Sequence, residues 1–220
     1  MGKDLNILYE DNHLIVVEKP FNVLSQADDT KDIDMLTIVK NYLKEKYNKP
    51  GNVYLGLVHR LDRPTGGIMV FAKTSKAASR LSKDIRENKF TKKYLAVVHG
   101  KLKEQKGILE NYLLKNSDNT SIVTDEKHGK YAKLSYEMLD YKNNLTLVSI
   151  TLETGRHHQI RVQFANIKNP LYGDQRYGSN DKKQLALYAY YLSFNHPVTK
   201  EKLEFINFPK KEGIWGLFIK

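Results

Sequence analysis

The sequence predicts an α+β fold: a mixed, largely antiparallel β-sheet with flanking helices. Short β-prone runs outnumber helical segments, and the helices intervene irregularly instead of following every strand. Short polar turns join neighbouring runs, as in antiparallel hairpins. No internal repeat and no long Pro/Ser/Gly linker interrupts the chain, so a single domain over residues 1–220 is expected.

Each element has a local reason. Ile7-Leu8-Tyr9 and Leu14-Ile15-Val16-Val17 flank the polar Glu10-Asp11-Asn12-His13, which predicts an opening hairpin ended by Lys19-Pro20. Over residues 34–47, Met35, Ile38, Val39, Tyr42 and Leu43 keep helical spacing while Lys40, Lys44 and Lys46 occupy other faces. Residues 53–61 form a β-prone run leading straight into Asp62, and residues 68–72 resume as a strand after a Pro/Gly turn. Ser75 is placed to cap a second helix whose Ala78, Leu81 and Ile85 face inward. Residues 93–99 read as a strand closed by Gly100, and residues 132–139 and 145–152 as two more. The polar stretch before them, residues 116–130, is expected to be a mobile loop.

Composition narrows the function. The 220 residues carry 36 Lys and Arg against 25 Asp and Glu, and the surplus of +11 is spread along the chain. Such a surface suits a polyanionic partner, although a lysine-rich surface also serves solubility. The absence of cysteine excludes a disulfide framework, a thiolate metal site and a thiol nucleophile. Met1-Gly2-Lys3-Asp4-Leu5-Asn6 has no apolar signal region, and no run approaches the ~20 apolar residues that span a bilayer. A cytoplasmic protein without membrane association is expected.

Two segments concentrate chemistry. In His59-Arg60-Leu61-Asp62-Arg63-Pro64-Thr65-Gly66-Gly67 a carboxylate lies between two arginines, which favour its ionised form, and a bent turn follows. By itself this is either an active site or a solvated ion pair in a surface turn, worth under about 1 kcal/mol. The second segment, Gly155-Arg156-His157-His158-Gln159-Ile160-Arg161-Val162, leads to Tyr172-Gly173-Asp174 and Tyr177-Gly178. Its arginines and histidines are costly to bury unpaired, so they call for a protein carboxylate or a phosphate. Alternatively Ile160, Phe164 and Ile167 pack while the basic residues stay in water.

Together these segments resemble the RNA pseudouridine synthases of the RluA type. The resemblance rests on residues 59–63 with Thr65 and Gly67, and on Lys93-Tyr94-Leu95-Ala96-Val97. It extends to Gly155-Arg156, His158-Gln159-Ile160-Arg161-Val162, Gly173-Asp174, Tyr177-Gly178, and Leu192, Phe194 and His196-Pro197, in the family's order. Three positions depart from the pattern: Gly66 where Ser is frequent, His157 where Thr is usual, and Gln163 where His is usual. These departures bear on substrate contacts. With the first hairpin beginning within ten residues of Met1, no S4 RNA-binding domain is expected before it.

The resemblance implies a pseudouridine synthase-like domain with a cleft across the sheet, isomerising specific uridines in ribosomal or transfer RNA as a monomer. Breaking the N1–C1′ bond, turning the uracil and rejoining it through C5 involves no redox change, so neither cofactor nor metal is expected. Uracil departs as a delocalised anion, so one carboxylate suffices where glycoside hydrolysis usually takes two. The resemblance makes Asp62 that carboxylate, either as a nucleophile at C1′ or by promoting loss of the C2′ proton. It pairs Arg161 with Asp62, with Arg156 as the substitute, and places Tyr94 over the flipped uracil. Arg60 either fills the space the base leaves or contacts phosphate. Arg63, Thr65, Arg156, His158 and Gln159 are the remaining expected substrate contacts. Lys73, Lys76, Arg80, Lys83 and Arg86 are placed to follow the RNA backbone.

Other chemistries fit less well. His59-Arg60 with Asp62 resembles a kinase catalytic loop, but Leu61 intervenes and no Gly-rich phosphate loop or Asp-Phe-Gly is present. Adjacent His157 and His158 point apart on a regular element, which argues against a metal site with His59. A non-catalytic RNA-binding or ribosome-assembly protein on the same scaffold is the remaining alternative.

Overall fold

The computed structural model describes residues 5–219; residues 1–4, part of the stretch read above for a signal region, lie outside them. The chain divides into two compact units. One holds residues 1–90 and 191–207, the other residues 91–190 and 208–220.

In the first unit β1 (Ile7–Glu10) and β2 (Leu14–Lys19) form the expected hairpin. The turn is fixed by Asp11, whose carboxylate accepts the His13 and Leu14 amides at 2.7 Å each. Helix α1 (Met35–Lys46) starts at Asp34, which accepts from the Thr37 amide at 3.1 Å, a cap worth about 1 kcal/mol. The β-prone residues 53–61 pair less than their composition predicts. Only β3 (Gly56–Leu57) forms a ladder, because the following residues turn away to present Asp62. Strand β4 (Gly66–Ala72) is buried throughout and pairs antiparallel with β2 as well as β3. Helix α2 (Ser75–Arg86) is capped by Thr74 and not by Ser75: Thr74 is extended and its hydroxyl accepts from the Ala77 amide, while Ser75 already has helical geometry. Ala77 and Leu81 are buried, with Ala78 and Ile85 packed alongside Leu14, Val16, Ile68 and Val70.

The second unit is built on five antiparallel strands: β5 (Thr91–His99), β6 (Lys106–Lys115), β7 (Ser121–Thr124), β8 (Lys130–Lys142) and β9 (Leu145–Leu152). They lie in the order β5-β9-β8-β6-β7, all antiparallel. The stretch expected to be a mobile loop therefore contains a strand. Ser121-Ile-Val-Thr124 is β-prone but short, and polar turns on both sides hide it from a composition reading. Those turns are built: Asp118 takes the Thr120 amide and hydroxyl, and Asp125 takes the His128 amide. Helix α3 (Gln159–Asn166) follows β9, with Val162 packing on Leu113 and Ala132. Strand β10 (Leu187–Asn195) is divided between the units after Tyr190, and its first-unit residues pair with β11 (Lys202–Ile206). The α+β class with a mainly antiparallel sheet is the one expected.

Candidate active site

In the first unit, the turn carrying Asp62 is held from both sides by side chains of a preceding loop. Ser25 donates its hydroxyl to the Leu61 carbonyl at 2.6 Å and accepts the Leu61 amide at 3.0 Å, so Leu61 is clamped in both directions. Beyond Asp62, the Thr65 amide donates to the Asp62 carbonyl at 2.9 Å and closes the turn. Lys19 closes it from below. Its side chain is 0% exposed, and its ammonium donates to the carbonyls of Pro20, Val23 and Arg63.

Lys19 is the charged residue that sequence reasoning missed. Burial pushes its amine down to about 7; attraction to Asp62 acts in the opposite direction, and repulsion from Arg63 adds to the depression. The attraction is mutual, so the ammonium favours the charged form of the half-buried Asp62. A signal existed in the strand pattern. By the strand's period of two, Lys19 falls on the face of β2 that carries the fully buried Ile15 and Val17.

The two arginines beside Asp62 behave differently. Arg63 is exposed and pairs with Asp32 at 2.7 Å. Arg60 is exposed, and among the described residues it has no hydrogen-bond or ion-pair partner. The Thr65 hydroxyl is buried and unpartnered among the described residues. His59 accepts the Val70 amide at Nε2, which ties the start of the segment to β4.

In the second unit, the basic segment opens α3. Arg161, in its first turn, donates through Nε and Nη2 to the two carboxylate oxygens of Asp174, each at 2.7 Å. Both side chains are buried, and the guanidinium lies 5.0 Å from the centre of the Tyr177 ring. This bidentate fork fixes the guanidinium plane and leaves Nη1 outside it. Asp174 of the Gly173-Asp174 motif thereby acquires a role, as the carboxylate that holds Arg161.

The neighbouring residues divide their work. His158 sits at φ 53°, in the left-handed region, where the chain turns into α3. Tyr177 accepts the Ser121 amide at its hydroxyl oxygen and shares a second hydrogen bond with His158 Nδ1 at 2.8 Å. Burial pushes the His158 imidazole down to about 2, with repulsion from Arg161, His157, Arg176 and Lys115 adding to it, so it stays neutral at working pH. His157 pairs with the Ser121 hydroxyl at 2.8 Å. The Gln159 amide is used within the protein: it accepts from Thr154 and the Arg156 amide, and donates to the Lys133 carbonyl. Arg156 in turn donates Nε to the Tyr131 carbonyl. Gln163, one of the departures, is fully buried and donates to Leu109 and Asn111, so its amide serves packing of α3 on β6. Tyr94 is buried on β5, opposite Ile150 of β9.

The motifs expected to act together are therefore each mounted on rigid, hydrogen-bonded supports. Residues 13–166 match the RNA pseudouridylate synthase family. The chain belongs to that family. It is 35% identical to the ribosomal large subunit pseudouridine synthase D of Vibrio cholerae, over 91% of this chain and 66% of that protein. It therefore spans a little less than two thirds of that relative's length. An uncharacterized RNA pseudouridine synthase of Bacillus subtilis is 34% identical over 92% of the chain and 68% of its own length. Among solved structures, human RNA pseudouridylate synthase domain containing 4 superposes with a TM-score of 0.79, covering 93% of this chain and 89% of that one at 21% identity. That likeness establishes the shared pseudouridylate synthase fold.

Proposed function

We propose that the chain is an RluA-type RNA pseudouridine synthase, a monomeric cytoplasmic enzyme that isomerises specific uridines of ribosomal or transfer RNA, with residues 1–220 acting as its catalytic domain. Membership of the pseudouridylate synthase family is the observation that carries this reading. Asp62 is its catalytic carboxylate. The Lys19 ammonium supports the charged form that either route needs, whether Asp62 attacks C1′ or promotes loss of the C2′ proton. The N1–C1′ bond breaks with its electron pair going to uracil, the ring turns, C5 bonds to C1′, the C5 proton is lost to a base or water, and N1 takes up a proton in its place. Atoms and charge balance without a cofactor.

Arg161 is a catalytic residue in this reading, and the fork to Asp174 orients its guanidinium. Tyr94 lies against the uracil and assists proton transfer. Arg60, exposed and without a partner among the described residues, enters the space the flipped base leaves or holds a phosphate. Arg63, Thr65, Arg156 and His158 complete the RNA contacts, with Gln159 holding the Arg156 turn. Mapping pseudouridines in cellular RNA with and without the gene tests the reading. Specific positions should revert to uridine on deletion and return with the wild-type gene but not with Asp62→Ala; an unchanged map would refute it.

A further inference from the structure

Lys92, two residues before Tyr94 on β5, is a half-buried lysine. Among the described residues it has no hydrogen-bond or ion-pair partner. Glu153, the residue after β9, is engaged by Lys133 at 3.4 Å. Burial alone pushes the Lys92 amine down, without a compensating carboxylate. An ammonium withdrawn from water without a partner is unfavourable, and most lysines avoid it by reaching into solvent.

Its position gives that cost a purpose. Residues i and i+2 of a strand project to one face, so Lys92 and Tyr94 share a side of β5, about 7 Å apart along the strand. That spacing is comparable to the span from a base to the phosphate of its own nucleotide. Beside the Lys92 amine lies Gly155, where an added Cβ would stand 3.8 Å from Nζ. Gly155 does not have a positive φ, so the backbone there does not demand glycine. The missing side chain leaves the flank of the amine open at the start of the Arg156 segment.

We propose that Lys92 binds a backbone phosphodiester of the RNA, adjacent to the nucleotide that Tyr94 faces. This deepens the pseudouridine synthase reading and rests on it. A phosphodiester is a permanent anion that supplies the missing countercharge when RNA arrives, and the prior desolvation of the amine strengthens that attraction.

The test is the salt dependence of binding to in-vitro-transcribed large-subunit ribosomal RNA by wild type, Lys92→Met and Lys92→Arg. Each phosphate contact contributes about one unit to the slope of log affinity against log salt. Lys92→Met should bind about tenfold more weakly at moderate salt, with a slope smaller by about one unit, and Lys92→Arg should keep the wild-type slope. Lys92→Met should melt no lower than wild type, because it removes an unpaired buried charge. An unchanged slope in Lys92→Met would overturn the proposal and point to a contact with a neutral group such as a uracil carbonyl. A lower melting temperature would overturn it in favour of a structural role. Binding requires no turnover, so an inactive wild type would defeat the enzymatic reading while leaving this measurement able to decide about Lys92.

Discussion

Arg161 and Asp174 are joined by a bidentate fork and behave as one rigid group. Two 2.7 Å bonds between buried partners remove most of the guanidinium's freedom, and removing either partner leaves a buried charge. Asp174→Ala should therefore cost about 3–5 kcal/mol in urea denaturation. The double variant Arg161→Met/Asp174→Leu should recover much of that stability without recovering turnover. A loss below about 1 kcal/mol in Asp174→Ala would mean the fork is solvated and not a fixed support. Lys19 shows the same principle with backbone partners: three carbonyls compensate its burial and join β2 to the Asp62 turn. At this scale the sequence showed which residue types concentrate, but not their pairing. Arg161 and Asp174 are thirteen positions apart, and no spacing rule links the first turn of a helix to the loop after it.

Among the elements, the loop before β10 positions Asp174 and is itself pinned. Asp181 accepts from the Gly173 amide and the Ser179 hydroxyl, and pairs with His99 at the end of β5. Burial would raise the Asp181 carboxyl, but the Ser179, His99 and Gly173 bonds outweigh it and hold it below the usual range. Gly173 has φ +76°, and a Cβ there would lie 2.4 Å from the Gln184 carbonyl oxygen. Gly178, at φ +101°, has open space around it. Gly173→Ala should thus cost about 2 kcal/mol or more, through clash added to left-handed strain, and Gly178→Ala about 1 kcal/mol, through strain alone. Thermal denaturation of the two variants separates these terms; equal shifts would show that the Gly173 approach relaxes freely. The amphipathic helices α1 and α2 were legible because periodicity and caps agree. The cap of α2 fell one residue from its expected place, since Thr74 and Ser75 have nearly equivalent side chains and only the extended backbone at Thr74 distinguishes them. Strands β6, β7 and β11 were not legible: β6 and β11 interleave Lys and Glu with apolar residues, and β7 is a four-residue run between polar turns that composition reads as loop.

For the molecule as a whole, an excess of +11 over 220 residues gives an attraction for polyanions that is long-ranged and not specific to sequence. Such a field would draw in RNA without choosing a uridine. The choice belongs to the motif segments, where departures at His157 and Gln163 divide unequally: Gln163 is internal, whereas His157 is half-buried against Ser121. The fold class followed from the balance of strands and helices, and the family from motif order. Of the supports beneath those motifs, Ser25 and Asp174 took their roles from three-dimensional pairing, while Lys19 left a trace in the strand period. The central claim is that Asp62 performs the bond chemistry. It is tested most directly by release of the C5 hydrogen from RNA carrying C5-labelled uridine, taken from cells lacking the gene. Wild-type protein should release label up to the number of target sites. Asp62→Ala, at concentrations where it binds the same RNA stoichiometrically, should release none above background. Equal release by the two proteins, or none by wild type, would contradict the account.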